Sequence, residues 1–411
     1  MRSIFLALGI GFKSLFQIIF YPIFWLVFLL IMIQYRKQGK IEKKILGIER
    51  NSAFARALQA TFYGIIGGFL GSILMIGLGI PIGQEGLMYL LPIALLLYII
   101  NPRYLCFSYA GGLLSLFYLI FGFPKINVEG LMALVAILHF IESFLIYIDG
   151  NTDSMPIIID KGDNLHIGGY HLQRTWPIPI IIITILTSRE LAPMAQIEMP
   201  KWWPLLKSFE YQDLRDITFS MFSVVAILGY GDIALTQLPK EKVKKSAFRL
   251  FLYSIFLLLL SILASKIRIF QWIVALFGPM MHEFIILMGR KEEKKGNPLF
   301  ILPPQGIRVL EVLQGSAAEK MKIQRGDILY TINDIPVNTK EELMKALDQW
   351  PTFVWIQGEN CMGEKYTREL KAFPYGLRTL GIIVFPQYSE ISYVMQEKES
   401  IFERLLNRSK K

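Results

Sequence analysis

The chain has 411 residues, of which 53% are hydrophobic and 18% charged, and a formal net charge of +10. A soluble domain averages about 25% charged residues, so these proportions exclude a wholly soluble protein. Two cysteines exclude a disulfide framework. The positive charge gathers in short loops beside apolar runs, which excludes a nucleic-acid footprint.

Residues 1–289 read as a polytopic transmembrane domain of about seven to nine α-helical spans, each needing about 20 apolar residues. The first is 15–33, and its length argues against a cleaved signal peptide. A basic loop follows, with Arg36, Lys37, Lys40, Lys43, Lys44, Arg50 and Arg56 against Glu42 and Glu49. A second basic loop holds Lys240, Lys242, Lys244, Lys245 and Arg249 against Glu241. Both fit the cytoplasmic side of a bacterial plasma membrane, where anionic lipid headgroups attract them.

Within 60–80, Gly64 with Gly68 and Gly67 with Gly71 give two overlapping GxxxG spacings. These predict close packing on another helix, or a homo-oligomer contact. Apolar runs follow at 87–100, 104–121 and 130–148. The last places His139 and Glu142 on one helix face, as a functional ionisable pair or as an interhelix hydrogen bond. Residues 151–177 form a non-helical amphipathic segment, expected as a hairpin or re-entrant piece at the membrane surface. The run 178–187 is short for a span. Trp202 and Trp203 are candidate interface anchors. Further spans are expected at 217–235, 247–264 and 269–289, with Asp232 marking the end of the first of these.

Residues 290–304 read as a linker marked by Asn297-Pro298 and Pro303-Pro304. After it, 305–373 is a small α/β domain. Ile307, Val309 and Glu311 alternate as in a strand, Gly315-Ser316 opens a short helix, and Arg325-Gly326-Asp327 turns into the strand Ile328–Ile332. Thr339 caps a helix at Lys340–Leu347, with Glu342 completing a capping box. Strands at Phe353–Gln357 and Tyr366–Leu370 close the sheet. The order strand, GSAA-helix, GDIL-strand, IND-turn, helix resembles the bacterial PDZ family. That resemblance implies a peptide added as a strand along Gln305, Gly306, Ile307 and Val309, with Leu343 and Leu347 as the opposite wall. Amides near Gln305–Ile307 would receive a terminal carboxylate. The alternative is that both leucines pack the core. Residues 374–411 form a C-terminal extension, amphipathic through Ile401, Leu405 and Leu406.

Site-2 proteases also join membrane spans to PDZ domains, and use HExxH for zinc. Here His282-Glu283 is followed by Phe284, Ile285 and Ile286, so the second histidine is missing, and no later span offers a third ligand. His166 and His171 form only a loose pair. No catalytic set, metal or cofactor is expected. A degenerate protease-like protein or a regulator of membrane proteolysis is the alternative, and a transporter lined by His139, Glu142 and Asp232 is a third reading.

Several pieces in order resemble the MinJ-like topological determinants of cell division. They are Leu15-Phe16 with Tyr21-Pro22, Glu49-Arg50, Gly168-Gly169-Tyr170-His171-Leu172-Gln173-Arg174 with Trp176-Pro177, Gly229-Tyr230-Gly231-Asp232, and Gly278-Pro279 with His282-Glu283 ahead of the PDZ-like module. The resemblance implies a non-catalytic membrane adaptor or scaffold that recruits cytoplasmic partners, a DivIVA-like polar scaffold and a MinD-like division inhibitor.

Overall fold

The computed structural model describes residues 2–46, 49–160, 166–187, 197–207 and 217–385. Ile401, Leu405 and Leu406 of the C-terminal extension lie outside them.

The apolar body is built from α1 (Arg2–Ile18), α2 (Pro22–Leu46), α3 (Ala53–Leu78), α4 (Gln84–Ile100), α5 (Phe107–Phe121), α6 (Val128–Asp149), α7 (Pro239–Ala264) and α8 (Ile269–Lys295). Their ends follow local chemistry. Ser52 accepts from the Ala55 amide to start α3, and Gly79, at φ +63°, closes it. Asn127 accepts from the Gly130 amide to start α6. Such caps satisfy amides that a helix cannot satisfy itself. Four of these helices, α3, α6, α7 and α8, are long and apolar enough to cross a membrane, and α1 with α2 makes a fifth if that pair, bent by 61°, is one span. Helix α6 is the central one, with most of its residues buried.

The run 217–235, expected as a helical span, is a strand. Strand β4 (Ile217–Ala234) pairs antiparallel along its whole length with β3 (His166–Thr187), from Tyr170↔Ala234 to Thr187↔Ile217. The short run 178–187 is thus the second half of a long β-ribbon laid among the helices. The hairpin expected near 151–177 is present as β2 (Met155–Asp160) against the start of β3, with Ile157 opposite Gly169.

A strand inside an apolar body must have its backbone groups paired. Beyond β4, the other edge of β3 meets a sequence of partners. The Tyr35 hydroxyl donates to the Thr175 carbonyl and accepts from the Thr175 amide, at 3.1 and 3.0 Å. The Ser72 hydroxyl accepts from the Ile181 amide at 3.0 Å. Strand β1 (Pro81–Ile82) then pairs parallel with Ile183 and Thr184.

The glycine spacings of α3 serve two different neighbours. A Cβ at Gly67 would stand 2.8 Å from Ile141 on α6, as a helix contact requires. Gly64 and Gly68 instead face the Pro177 and Pro179 carbonyls of β3, where a Cβ has no room. That half of the motif seats a strand rather than a helix.

The C-terminal domain carries β6 (Ile307–Val312), α9 (Ala317–Lys320), β7 (Ile328–Ile332), β8 (Ile335–Pro336), α10 (Lys340–Leu347), β9 (Phe353–Glu359), β10 (Lys365–Lys371) and β11 (Ile382–Val384). The sheet runs β10-β9-β7-β6-β11, with β8 on β7. Thr339 caps α10 by accepting from the Glu342 amide, and the Glu342 carboxylate accepts from the Asn338 amide, one residue before the position a capping box requires.

The segment expected as a linker is ordered against the body. Helix α8 runs on to Lys295, and β5 (Phe300–Ile301) pairs with β3 at Gly168 and Ile167.

Candidate functional site

Three places on the fold bring chemistry together: an outer edge of the C-terminal sheet, the seam where that domain meets the body, and a side-chain cluster inside the body.

The edge expected from the sequence is already taken. Strand β6 pairs with β7 on one side, through Ile307↔Leu329, and with β11 on the other, through Val309↔Val384. The Gly306 amide, expected to meet a ligand carboxylate, donates to the Asn338 side chain at 2.8 Å. Gly306 sits at φ +80°, against the Leu329 carbonyl. Gln305 lies in the turn just before β6. Leu343 and Leu347 are buried in the domain core beside Ile307, Val309 and Leu380, so they pack the domain rather than stand open.

Among the described residues the sheet ends in two outer strands, β10 and β11, and β11 is the one beside β6. Its backbone directions follow from two hydrogen bonds. The Gly381 carbonyl accepts from the Leu313 amide at 2.9 Å, on the β6 side. A trans peptide is planar with C=O and N–H opposed, so the Ile382 N–H points outward. The Phe385 amide donates to the Arg308 carbonyl at 2.8 Å, so the Val384 carbonyl points outward as well. One donor and one acceptor thus face away from the sheet, the arrangement an added strand needs. Ile382 and Val384 pack on the same cluster as Leu343 and Leu347, so the edge shares its apolar floor with α10. The sequence held a signal for this in Gly381, whose φ of +71° turns the chain into the strand.

The seam is polar and aromatic. The Tyr170 hydroxyl donates to the Leu310 carbonyl at 2.6 Å. Gly168 leaves space for Leu310 and Phe385, since a Cβ there would stand 2.9 and 2.7 Å from them. Phe300 packs edge-on to Tyr170 and is buried in the core of the body. Arg325, which pairs with Glu311 at 2.7 Å, lies over the Tyr170 ring.

Arg50 reaches Glu311 at 3.7 Å while also pairing with Glu42 and donating to the Ser154 carbonyl at 2.8 Å. Arg56 joins the same Glu42 and approaches Asp153 at 3.5 Å. Arg50 and Arg56 therefore converge on the turn before β2, and Arg50 also on the C-terminal domain. The second basic loop lies along the start of α7, where Lys242 bridges Asp232 at 3.4 Å and Glu293 at 3.1 Å. Asp232 is thus a structural ion-pair partner at the end of the ribbon.

His139 and His282 meet inside the body beside Cys106, on three separate elements. Nothing in the spacing of these residues announces this, because they lie far apart in the chain. Glu283 pairs with Arg103 and accepts from the Tyr109 hydroxyl at 2.6 Å. Glu142 follows His139 by one turn of α6.

No family model matches the chain. The chain is 21% identical over 227 residues to the cell division topological determinant MinJ of Bacillus subtilis, covering 54% of this chain and 53% of that protein. It is 30% identical over 86 residues to a probable cell division topological determinant MinJ of Lacticaseibacillus paracasei, covering 21% and 23%. The match to the first spans about half of that relative's length.

Proposed function

We propose that this chain is a non-catalytic membrane adaptor in division-site placement, holding a cytoplasmic partner by adding an extended peptide of that partner to β11. The observation that carries the reading is the outward Ile382 N–H and Val384 carbonyl at a sheet edge floored by the α10 cluster. The similarity to proteins named as cell division topological determinants supports the division role, and the order of elements in the C-terminal domain supports a PDZ-type module. Four long apolar helices support membrane anchoring. The basic residues near Glu42, Asp153 and Glu293 lie on the side of the body that carries this domain, as positive-inside placement of a cytoplasmic domain would require. By resemblance, the partners are a DivIVA-like scaffold and a MinD-like inhibitor.

The test is a fluorescent fusion of the full chain in its host, compared with Ile382→Pro. Proline removes the outward donor and none of the bonds to β6, as edge strands tolerate. The fusion should reach the membrane in both cells. Recruitment of division partners, and midcell septum position, should fail in the variant. Normal septum placement with Ile382→Pro would sink the edge as the binding site.

A further inference from the structure

The cluster inside the body belongs neither to the edge nor to the seam. Cys106 ends the turn between α4 and α5 and caps α5, its sulfur accepting from the Ser108 amide at 3.4 Å. This turn reaches the body at the level of His282, partway along α8, and of His139, midway along α6. Cys106 Sγ lies 3.2 Å from His139 Nε2 and 3.8 Å from His282 Nε2, and the ligand atoms of all three lie within 4.8 Å of one another. Zinc–sulfur and zinc–nitrogen bonds of about 2.3 and 2.0 Å at a tetrahedral angle put the two ligand atoms about 3.5 Å apart. The observed pairs straddle that value.

The surroundings fix the His139 imidazole in a ligating sense. His139 Nδ1 is 2.7 Å from the Val135 carbonyl, so it carries the proton and turns a bare Nε2 lone pair toward the sulfur. Metal-bound histidines are oriented by this kind of outer hydrogen bond. Tyr253 packs edge-on against both rings, at 5.3 and 5.7 Å, and its hydroxyl is held by Ser108 at 2.6 Å and Gly278 at 3.1 Å. His282 Nδ1 is buried with no hydrogen-bond partner. His282 is thus free to carry its proton on Nδ1 and to present the Nε2 lone pair to a cation, beside the one that His139 presents.

We propose that Cys106, His139 and His282 form a binding site for a borderline-soft divalent metal ion of the Zn²⁺ class, which staples the α4–α5 hairpin to α6 and α8. The ligand set is one thiolate and two imidazoles, with one position left for water or a fourth donor. Binding forms the metal–sulfur bond as the thiol proton leaves to solvent. The arrangement differs from a protease HExxH pair, because each ligand comes from a different element. It holds independently of the adaptor reading.

The test uses the full chain, purified in detergent without a histidine tag and with the exposed Cys361 replaced by serine. Co²⁺ is the probe. About one Co²⁺ per chain should bind, with a near-ultraviolet sulfur-to-cobalt charge-transfer band that Zn²⁺ displaces. Cys106→Ser should abolish the band, and because serine is a good N-cap α5 should survive. His139→Gln and His282→Gln should each weaken Co²⁺ binding by more than about tenfold, the loss seen on removing even an outer partner. Maleimide labelling of Cys106 in the same background should slow when Zn²⁺ is added. A missing band, an unchanged band in Cys106→Ser, or equal labelling with and without Zn²⁺ would overturn the site.

Discussion

The guanidinium of Arg174 on β3 meets the carboxylate of Asp149, at the end of α6, with a closest approach of 2.6 Å and both side chains fully buried. The same carboxylate oxygen accepts from the Trp176 indole at 2.8 Å, and Tyr35 lies beneath the guanidinium. The ribbon is thus fastened to the central helix by one charge pair. Removing one member leaves the other buried and uncompensated, which costs about 3–5 kcal/mol. Arg174→Leu should therefore sharply lower the yield and thermal stability of detergent-purified protein. Asp149→Asn with Arg174→Gln should recover part of the loss. Equal stability of wild type and Arg174→Leu would show that the pair is solvated.

The two faces of the α3 glycines should respond to substitution alongside a built-in control. Gly68→Val drives side-chain atoms into the Pro179 carbonyl and should separate α3 from β3, at about 1–3 kcal/mol or more. Gly77→Ala adds a methyl where nothing stands within 4 Å and should gain up to about 1 kcal/mol from helix propensity. Melting of the purified variants by intrinsic fluorescence reads both. Indistinguishable melting of Gly68→Val and wild type would mean that the helix and strand are not in contact.

Docking of the C-terminal domain can be read by proteolysis. Gly168→Val puts a side chain where Phe385 and Leu310 sit, and should expose the 296–304 segment to cleavage. Tyr170→Phe removes only the bond to the Leu310 carbonyl, worth about 1 kcal/mol, and should accelerate cleavage far less. Release of the domain at the wild-type rate from Gly168→Val would count against a fixed seam.

Tyr366 gives the C-terminal domain an alkaline limit. Burial, and then the hydrogen bond its hydroxyl donates to Asp327 at 2.8 Å, push its pKa well above the ordinary tyrosine value. A pKa raised by folding contributes stability that is full below the unfolded value of about 10 and is lost as pH climbs from there toward the folded one. Tyr366→Phe should lower stability at neutral pH and flatten the decline above about pH 10. Parallel alkaline curves for the two proteins would show that Tyr366 ionises freely.

How far the fold could be read from sequence depends on the range of the forces. The C-terminal domain was legible because its signals are local: Thr339 starts α10, and Gly326 at φ +95° and Asn333-Asp334 at positive φ make turns where the spacing placed them. Strands β3 and β4 were not legible by hydropathy, since a mostly apolar run such as 178–187 reads the same in a helix or a strand. The β-branched run Ile180–Ile183 and the prolines Pro177 and Pro179 were the available signal, as both residue types oppose helix. The peptide edge was misplaced for a non-local reason. Nothing in 305–312 shows that residues 382–384 return to pair with it.

Phe300 and Phe385 are both rooted in the core of the body, at the two ends of the C-terminal domain. The domain is therefore mounted like a bracket rather than swinging on a tether. Anything held along β11 keeps a constant height above the body and a constant heading. A partner held there, as proposed, would sense through this mount where the body lies and also which way it faces.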